Sequence, residues 1–436
     1  MATKNLPGVR VVGRDEVAQL PELSDELRLA FTELAGVARE GLLAMSVSVG
    51  MRVLVEMMEE ELTAKVGPKH AKIPGRTATR HASAPGSVVL GARRVKVQRP
   101  RARTTKGTEV HLNTYTTFAD DDLLSAVVME RMLAGLATRR HRAAGEPVGA
   151  DVEATARSTS KSSVSRRFVA KTKRALEELM ARDLSDLDVV ALMLDGVNFA
   201  EHCCVVALAI CADGTKVPVG LWLGDTENKT VVTALLADLV DRGLSADRGL
   251  LVVIDGAKAL AAAVRKVFGE AALIQRCTLH KRRNCADHLP QSERGWVDAR
   301  LAKAFNHADP AAGLRMARDL ARQLETRWPD AAASLREGLE EMFTVRRLGV
   351  GDRLARSLTS TNPIESMISV GRSTTHNVKR WRDGTMVKRW AAAGVLNAER
   401  GFRRVKGCKE MPKLVDALRR HVDPGVTPSC ENERVA

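Results

Sequence analysis

Between Asp188 and Arg276 the chain alternates short apolar β runs with segments of helical period, and this order constrains its fold more than any other feature. Val189 to Leu194, Cys203 to Ile210 and Val217 to Leu223 predict three consecutive strands. A helix over Lys229 to Arg242, a strand from Gly249 to Ile254, a helix from Ala257 to Val267 and a fifth strand over Ala272 to Arg276 follow. The pattern is then almost purely helical from His280 to about Arg347 and again from Pro363 onward. A helical block is therefore expected late inside an α/β domain, and no repeat of solenoid length competes with that reading.

Three strands, then helix, strand, helix, strand is the order of an RNase H-like domain, and the fold class expected is α/β with an all-α insertion. In such a sheet the first and fourth strands are neighbours. Asp195 is expected where the first strand ends, in Leu192-Met193-Leu194-Asp195-Gly196, and Asp255 where the fourth ends, in Val252-Val253-Ile254-Asp255-Gly256. Two carboxylates from distant sequence would then meet at one sheet edge. Phosphoryl transfer on DNA uses such an arrangement, because hard divalent cations need oxygen ligands while they activate the attacking oxygen and stabilise the leaving one. Taken singly, Asp-Gly after a strand is also the commonest turn pair.

Glu365 stands in Thr359-Ser360-Thr361-Asn362-Pro363-Ile364-Glu365. Asn362 can cap a helix, Pro363 suits its first position and Glu365 its third, so a capping-box glutamate is one reading. The other places its carboxylate beside the sheet edge, on the same metals. Arg372 lies seven residues on and Lys379 seven beyond that, a spacing that returns to one helical face and suits DNA phosphates, as it suits a solvated basic face.

Charge points to a polyanionic partner. Among 436 residues, 68 Lys and Arg exceed 53 Asp and Glu by 15, and every phosphate neutralised releases counterions. Between Leu62 and Thr108 there are twelve Lys or Arg and no acid. There Val88-Val89-Leu90 and Val95-Lys96-Val97 flank Gly91-Ala92 like a hairpin, with Arg93, Arg94, Lys96, Arg99 and Arg101 as candidate phosphate ligands; a solvated basic linker is the alternative. Thr159 to Phe168 resembles the turn and recognition helix of a helix-turn-helix, with Lys161, Arg166 and Arg167 as candidates, or else a Ser-capped surface helix. Before this region, Leu27, Phe31, Leu34 and Val37, then Val47, Met51, Leu54 and Met58, have helical spacing. The opening residues carry neither a signal peptide nor a myristoylation pattern, and the apolar stretch Gly41 to Met51 is too short to span a bilayer, so no membrane partner and a cytoplasmic location are expected.

Cys277, His280, Cys285 and His288 offer the spacing Cys-x2-His-x4-Cys-x2-His, which supplies four zinc-type ligands. The short Lys281-Arg282-Arg283-Asn284 link lacks a loop glycine, and on one helix Cys285 points away from the other three, so no zinc is expected. Trp296 and Trp328 lie in the expected insertion, where a lone Trp is usually core. No Walker-type loop is present and no nucleotide cofactor is expected.

The ordered set Leu194-Asp195-Gly196, Val253-Ile254-Asp255-Gly256, Arg276-Cys277-Thr278-Leu279-His280 and Thr361-Asn362-Pro363-Ile364-Glu365 resembles the Mutator-type transposases of bacterial insertion sequences, over roughly Asp15 to Gly407. The resemblance implies a catalytic and metal-binding triad of Asp195, Asp255 and Glu365. Asp255 follows Asp195 by 60 residues and Glu365 follows Asp255 by 110, room for that family's helical insertion. Its Cys-x-x-His signature falls on Cys277 and His280, expected to support the active site, and its basic position on Arg372, although Ser373 stands where many relatives have a second basic residue. Two Mg²⁺ or Mn²⁺ ions, double-stranded DNA (terminal inverted repeats and target) and a homodimer are implied with it. The reaction would be cleavage and strand transfer; a metal-dependent nuclease without joining, or an inactive DNA-binding descendant, are the rivals. The expected organisation is a helical segment over 1–66, a basic DNA-binding region over 67–185, the catalytic domain over 186–280, an insertion over 281–358, the catalytic domain's final helices over 359–410 and a tail over 411–436.

Overall fold

The computed structural model describes residues 25–145, 148–224 and 228–425, with side chains from residue 41 on apart from those of 150 and 151. The first 24 residues, the last eleven and the side chains of Leu27, Phe31, Leu34 and Val37 therefore lie outside the described residues. The chain divides into two compact units, one holding residues 25–128 and 138–165, the other 129–137 and 166–425. The first unit thus joins what the sequence separates at residue 66, and it ends inside the region expected to run to 185.

In the first unit helix α1 (Asp25–Val66) packs on an antiparallel hairpin of β1 (Ala78–Leu90) and β2 (Arg93–Thr104). Gly91 and Ala92 form a two-residue turn with φ of 53° and 60°, the doubly left-handed geometry that matches strand twist. The expected hairpin is present and longer than the apolar runs that announced it, with a register shift between His81 and Ala84. Leu54, Met58, Leu62 and Val66 fall on one face of α1 and bury against Val88, Val97 and Ala102. Leu42, Met45, Val49, Val53 and Met57 of the same helix are exposed. The apolar stretch does not stop at Met51: Gly41–Val66, 26 residues, is long and apolar enough to cross a membrane by length and composition. Arg52 and Glu56 dilute it too little to end it. Helices α2 (Asn113–Ala119), α3 (Asp121–Leu133) and α4 (Ala150–Thr155) follow.

Helix α5 (Lys161–Met180) leads into the second unit. The helix before it is α4, six residues long, and the intervening Arg157 makes an isolated antiparallel bridge to Arg94. The turn ahead of α5 is thus pinned to the hairpin rather than built as a free reversal between two full helices.

The second unit centres on a five-stranded sheet of order β5-β4-β3-β6-β7, formed by β3 (Val189–Phe199), β4 (His202–Cys211), β5 (Lys216–Gly224), β6 (Leu250–Ile254) and β7 (Ala272–Arg276). The first three strands form an antiparallel meander, and β6 and β7 add in parallel beside β3. Helices α6 (Lys229–Asp241) and α7 (Lys258–Phe268) make the crossovers and cover one face, where Leu192, Leu194, Val252 and Ile254 are buried. Residues alternate along each strand, so Met193, Val197, Leu251 and Val253 turn to the other face.

That second face is covered by late helices: α13 (Asp352–Leu358), α14 (Asn362–Thr375), α15 (Gly384–Glu399) and α16 (Met411–Val422). Helix α16 corrects the expected tail over 411–436, because Met411, Leu414 and Leu418 are buried in this core. Between β7 and α13 the chain forms α8 (Thr278–Asp287), α9 (Gln291–Phe305), α10 (Pro310–Glu325), α11 (Pro329–Arg336) and α12 (Thr344–Arg347). Their core is separate, with Leu301, Leu320, Leu324, Leu335 and Phe343 at its centre.

Candidate active site

The parallel ladder of β3 and β6 matches Ala191 to Leu251, Leu192 to Val252 and Met193 to Val253. Beyond this point β6 stops, whereas β3 runs on to Phe199 paired with β4. Asp195 is therefore not at the end of its strand, as the sequence suggests, but within it, opposite Val206. The apolar run ends at Leu194, one residue beyond the last matched to β6. With Met193 before it and Val197 after it in the same core, Asp195 occupies the face on which α14 packs. Asp255 directly follows β6, and Gly256 after it takes a φ of 121°, which turns the chain toward α7 at no steric cost. Each aspartate is oriented by a local backbone donor: Gly196 N–H to Asp195 Oδ1 at 2.9 Å, and Ala257 N–H to Asp255 Oδ1 at 2.8 Å.

Helix α14, which packs on that same face of the sheet, carries Glu365. Thr361, one residue earlier than Asn362, is the N-cap, and Asn362 already lies within the helix. Glu365 is not the partner in a capping box, since the Thr361 N–H that such a glutamate would bond points instead to Cys277 Sγ at 3.4 Å. The Thr361 hydroxyl donates to Glu365 Oε1 at 2.5 Å and lies 3.3 Å from His280 Nδ1, which is itself 3.8 Å from Glu365 Oε1. Cys277 is buried, and its N–H donates to the carbonyl of Ile254, the residue before Asp255, at 2.7 Å. The sequence pattern does not single out Thr361. The available signal was its position four residues before Glu365, one helical turn away on the same face.

Each of these groups feels the charge of its neighbours. Burial, then the neighbouring Asp255 and also Glu365, push the Asp195 carboxyl up to about 6, against an easing influence from His280. His280 is itself raised to about 9 by its hydrogen bond with Cys277 and by the negative charges of Cys277, Glu365 and Asp255, against the opposing effect of burial. Burial would raise the Cys277 thiol, but hydrogen bonds from His280 and Thr361 hold it below the ordinary thiol value. Ligand atoms of Cys277, His280 and Glu365 lie within 4.8 Å of one another. Among the described residues Cys285 and His288 do not join them: Cys285 Sγ faces the Ala331 carbonyl at 3.6 Å, and His288 caps the end of α8. The four-ligand spacing in the sequence is thus not a four-ligand site.

The candidate DNA ligands are placed unequally. Arg93 is 3% exposed and paired with Glu153, so it does not reach a phosphate from this position. Arg94 bonds Ser87, Ala119 and Asp121, while Arg99 and Arg101 both pair with Glu109. Lys96, Lys161 and Arg166 are exposed, and Arg167 is half-buried. Arg372 is exposed on α14, but that helix ends at Thr375, so Lys379 does not continue the basic face expected at seven-residue spacing. In the helical block Trp296 is 37% exposed with the Arg300 guanidinium over its ring, and Trp328 packs on the core.

Comparison with known proteins shows the family of the chain. Residues 25–403 match the family model described as "Transposase, Mutator family". The chain is 28% identical over 184 residues to the transposase for insertion sequence element ISRM3 of Rhizobium meliloti (strain 1021), a match spanning 42% of this chain and 45% of that protein. It is 26% identical over 252 residues to a probable insertion sequence transposase of Corynebacterium diphtheriae, covering 55% of this chain and 72% of the relative. With the ISRM5 transposase of Rhizobium meliloti (strain 1021) it shares 26% identity over 336 residues, 75% of this chain and 81% of the other. The chain belongs to the Mutator family of transposases.

Proposed function

We propose that this protein cuts DNA at the ends of a bacterial insertion sequence and joins those ends to target DNA, with Asp195, Asp255 and Glu365 as its catalytic triad. One observation carries this reading: a carboxylate within a strand, Asp195, is part-buried on the face where the Glu365 helix packs and beside the strand that ends at Asp255, and burial first, then the charges of Asp255 and Glu365, push it up to about 6. A stable fold gains nothing from gathering three acids unless something binds them. The sheet order, with a meander and two parallel strands added beside its first member, supports an RNase H-like domain, and helices α8 to α12 with their own core support an inserted helical block.

The donor set fits hard divalent cations. Carboxylate oxygens suit Mg²⁺ or Mn²⁺, and the mutual repulsion at Asp195 is the imbalance such a charge removes. When bound, two ions would lower the cost of forming the attacking oxyanion and stabilise the leaving one. The residues of the chain supply the rest. Asp195, Asp255 and Glu365 hold the oxygen cage, Gly196 and Ala257 N–H groups orient the two aspartates, and His280 keeps a compensating proton beside Glu365. In the first step water attacks a phosphodiester and releases a 3′ hydroxyl; in the second that hydroxyl attacks a target phosphodiester and displaces another 3′ oxygen. One bond is broken for each formed, and no nucleotide is consumed. Exposed Arg372, Lys161, Arg166 and Lys96 offer phosphate contacts, and paired ends call for a homodimer.

The test is incubation of the purified protein with end-containing duplex and Mg²⁺, resolved on a denaturing gel. Cleaved and joined strands are expected from the native chain and neither from Asp195→Asn, Asp255→Asn or Glu365→Gln. Cleavage without joined product would leave a nuclease, and activity in the triad variants would overturn the site.

A further inference from the structure

We propose that Thr361 is a positioning residue that sets the carboxylate of Glu365, acting as the link between that helix and the sheet end bearing Asp255. The inference rests on the triad reading above, but concerns a residue outside the triad.

Thr361 is fully buried, so each of its polar atoms must be satisfied by the protein. A threonine at a helix N-cap ordinarily turns its hydroxyl oxygen to the N–H groups two or three residues on. At α14 that bond is missing. The hydroxyl instead gives its proton to Glu365 Oε1 at 2.5 Å. The same oxygen lies 3.3 Å from His280 Nδ1. One hydroxyl has one proton, so with that proton directed to Glu365 its oxygen is left to accept from His280 Nδ1.

The backbone of Thr361 is held just as firmly. Its carbonyl accepts from Glu365 N–H at 2.9 Å, and its N–H donates to Cys277 Sγ at 3.4 Å. The N–H of Cys277 in turn donates to Ile254 at 2.7 Å, immediately before Asp255. A continuous path therefore runs from the end of β6 through Cys277 and Thr361 to Glu365. Thr278 reinforces it, its N–H and hydroxyl both donating to the Thr359 carbonyl, at 2.9 and 3.1 Å. Loss of the Thr361 hydroxyl would remove the bond that fixes the Glu365 carboxylate and one of the partners of His280. Groups that orient metal ligands in this way typically change metal affinity or activity by about 10–100-fold when removed.

The experiment compares Thr361→Val, which keeps the shape and loses the hydroxyl, with Thr361→Ser, which keeps the hydroxyl. Three quantities are read: strand-cleavage rate, the Mg²⁺ concentration for half-maximal cleavage, and the rise in melting temperature caused by Mn²⁺. Thr361→Val is expected to lower cleavage or raise the half-saturating Mg²⁺ by about 10–100-fold and to blunt the Mn²⁺ response, with Thr361→Ser close to native in all three. Native behaviour in Thr361→Val overturns the proposal, and so does equal damage in Thr361→Ser, which would assign the effect to packing of the methyl. If Thr361→Val does not fold, Cys277→Ala decides the matter, because removing the acceptor of the Thr361 N–H must shift the same Mg²⁺ dependence. Glu365→Gln separates the two levels of argument. If it cleaves normally, the triad reading fails; if it is inactive while Thr361→Val is native, only the present inference fails.

Discussion

Asp195 and Asp255 each stand two residues beyond Met193 and Val253, the last matched pair of the parallel ladder between β3 and β6. Both strands run in the same register up to this point, so the sheet sets where each acid emerges. Elements built on such strands are placed with little freedom.

A pH dependence follows. The Asp195 carboxyl has an ordinary value of 3.8 and is raised to about 6 in the folded protein. A raised group contributes stability that is fully present below the unfolded value and is lost as pH rises through the folded one, so without metal this residue favours the fold in acid and opposes it above about pH 6. A divalent cation binds the ionised form. Melting curves should therefore show a large Mn²⁺-induced rise at pH 7.5 that fades below pH 6, and Asp195→Asn should stabilise the metal-free protein at neutral pH. Equal Mn²⁺ shifts at pH 5 and 7.5 would remove Asp195 from the metal site.

The helix bearing Glu365 is held close to its neighbour by two glycines. A Cβ on Gly394 of α15 would lie 2.9 Å from the Cα of Gly371 on α14, backbone that cannot step aside. A Cβ on Gly371 meets nothing nearer than 3.9 Å. Gly394→Ala is expected to cost about 1–3 kcal/mol by overpacking and to displace α14, with cleavage reduced alongside stability. Gly371→Ala should be neutral or better, since alanine favours a helix over glycine by up to about 1 kcal/mol. Thermal melts of the two variants check the contrast, and a lower melting point for Gly371→Ala than for Gly394→Ala would contradict the close crossing.

The sequence conveyed the sheet well, because buried strands such as Leu250–Ile254 are continuous apolar runs and the crossovers have clear helical period. It misjudged where apolar pattern and pairing part company. Asp195 and Gly196 break the run of β3, yet backbone pairing to β4 continues through them. The tail was misread for the opposite reason: Met411, Leu414 and Leu418 form a short amphipathic stripe, but nothing local says that a sheet face is left for it to cover. Glu365 was legible only as part of an ordered motif, since its own surroundings read equally as a helix cap. The path through Cys277 and Thr361 depends on contacts across 84 residues, which no local pattern reports.

For DNA binding, burial sorts the basic residues that composition could not. A fragment spanning residues 1–185 should retard duplex DNA with a steep salt dependence, because phosphate contacts dominate such binding. Within it, Lys96→Glu should weaken retardation and flatten the salt slope without loss of stability, as its side chain is exposed. Arg93→Ala should act differently, lowering the melting temperature by leaving Glu153 without its buried partner. If Arg93→Ala alters the salt slope while Lys96→Glu does not, the hairpin presents the opposite face to DNA.

Cys277 and His280 invite a test for zinc, and the geometry sets what it should find. A closed structural zinc site takes four ligands, whereas among the described residues Cys277 and His280 group with Glu365 alone, and Glu365 is already bonded by Thr361. Cys277 accepts the Thr361 N–H, so its sulfur is engaged in holding α14. Metal analysis of the purified protein should accordingly find no tightly held zinc, and a chelator followed by Mg²⁺ should restore full cleavage. One zinc per chain, lost only with unfolding, would contradict this. The imidazole adds a signature of its own: raised from 6.5 to about 9, it contributes stability that is present below pH 6.5 and is lost as pH rises through about 9. His280→Gln should therefore remove an alkaline decline in the melting temperature of the metal-free protein between those values. If that decline persists unchanged in His280→Gln, the charge beside Glu365 resides elsewhere, and Cys277 and His280 serve only to pack the site.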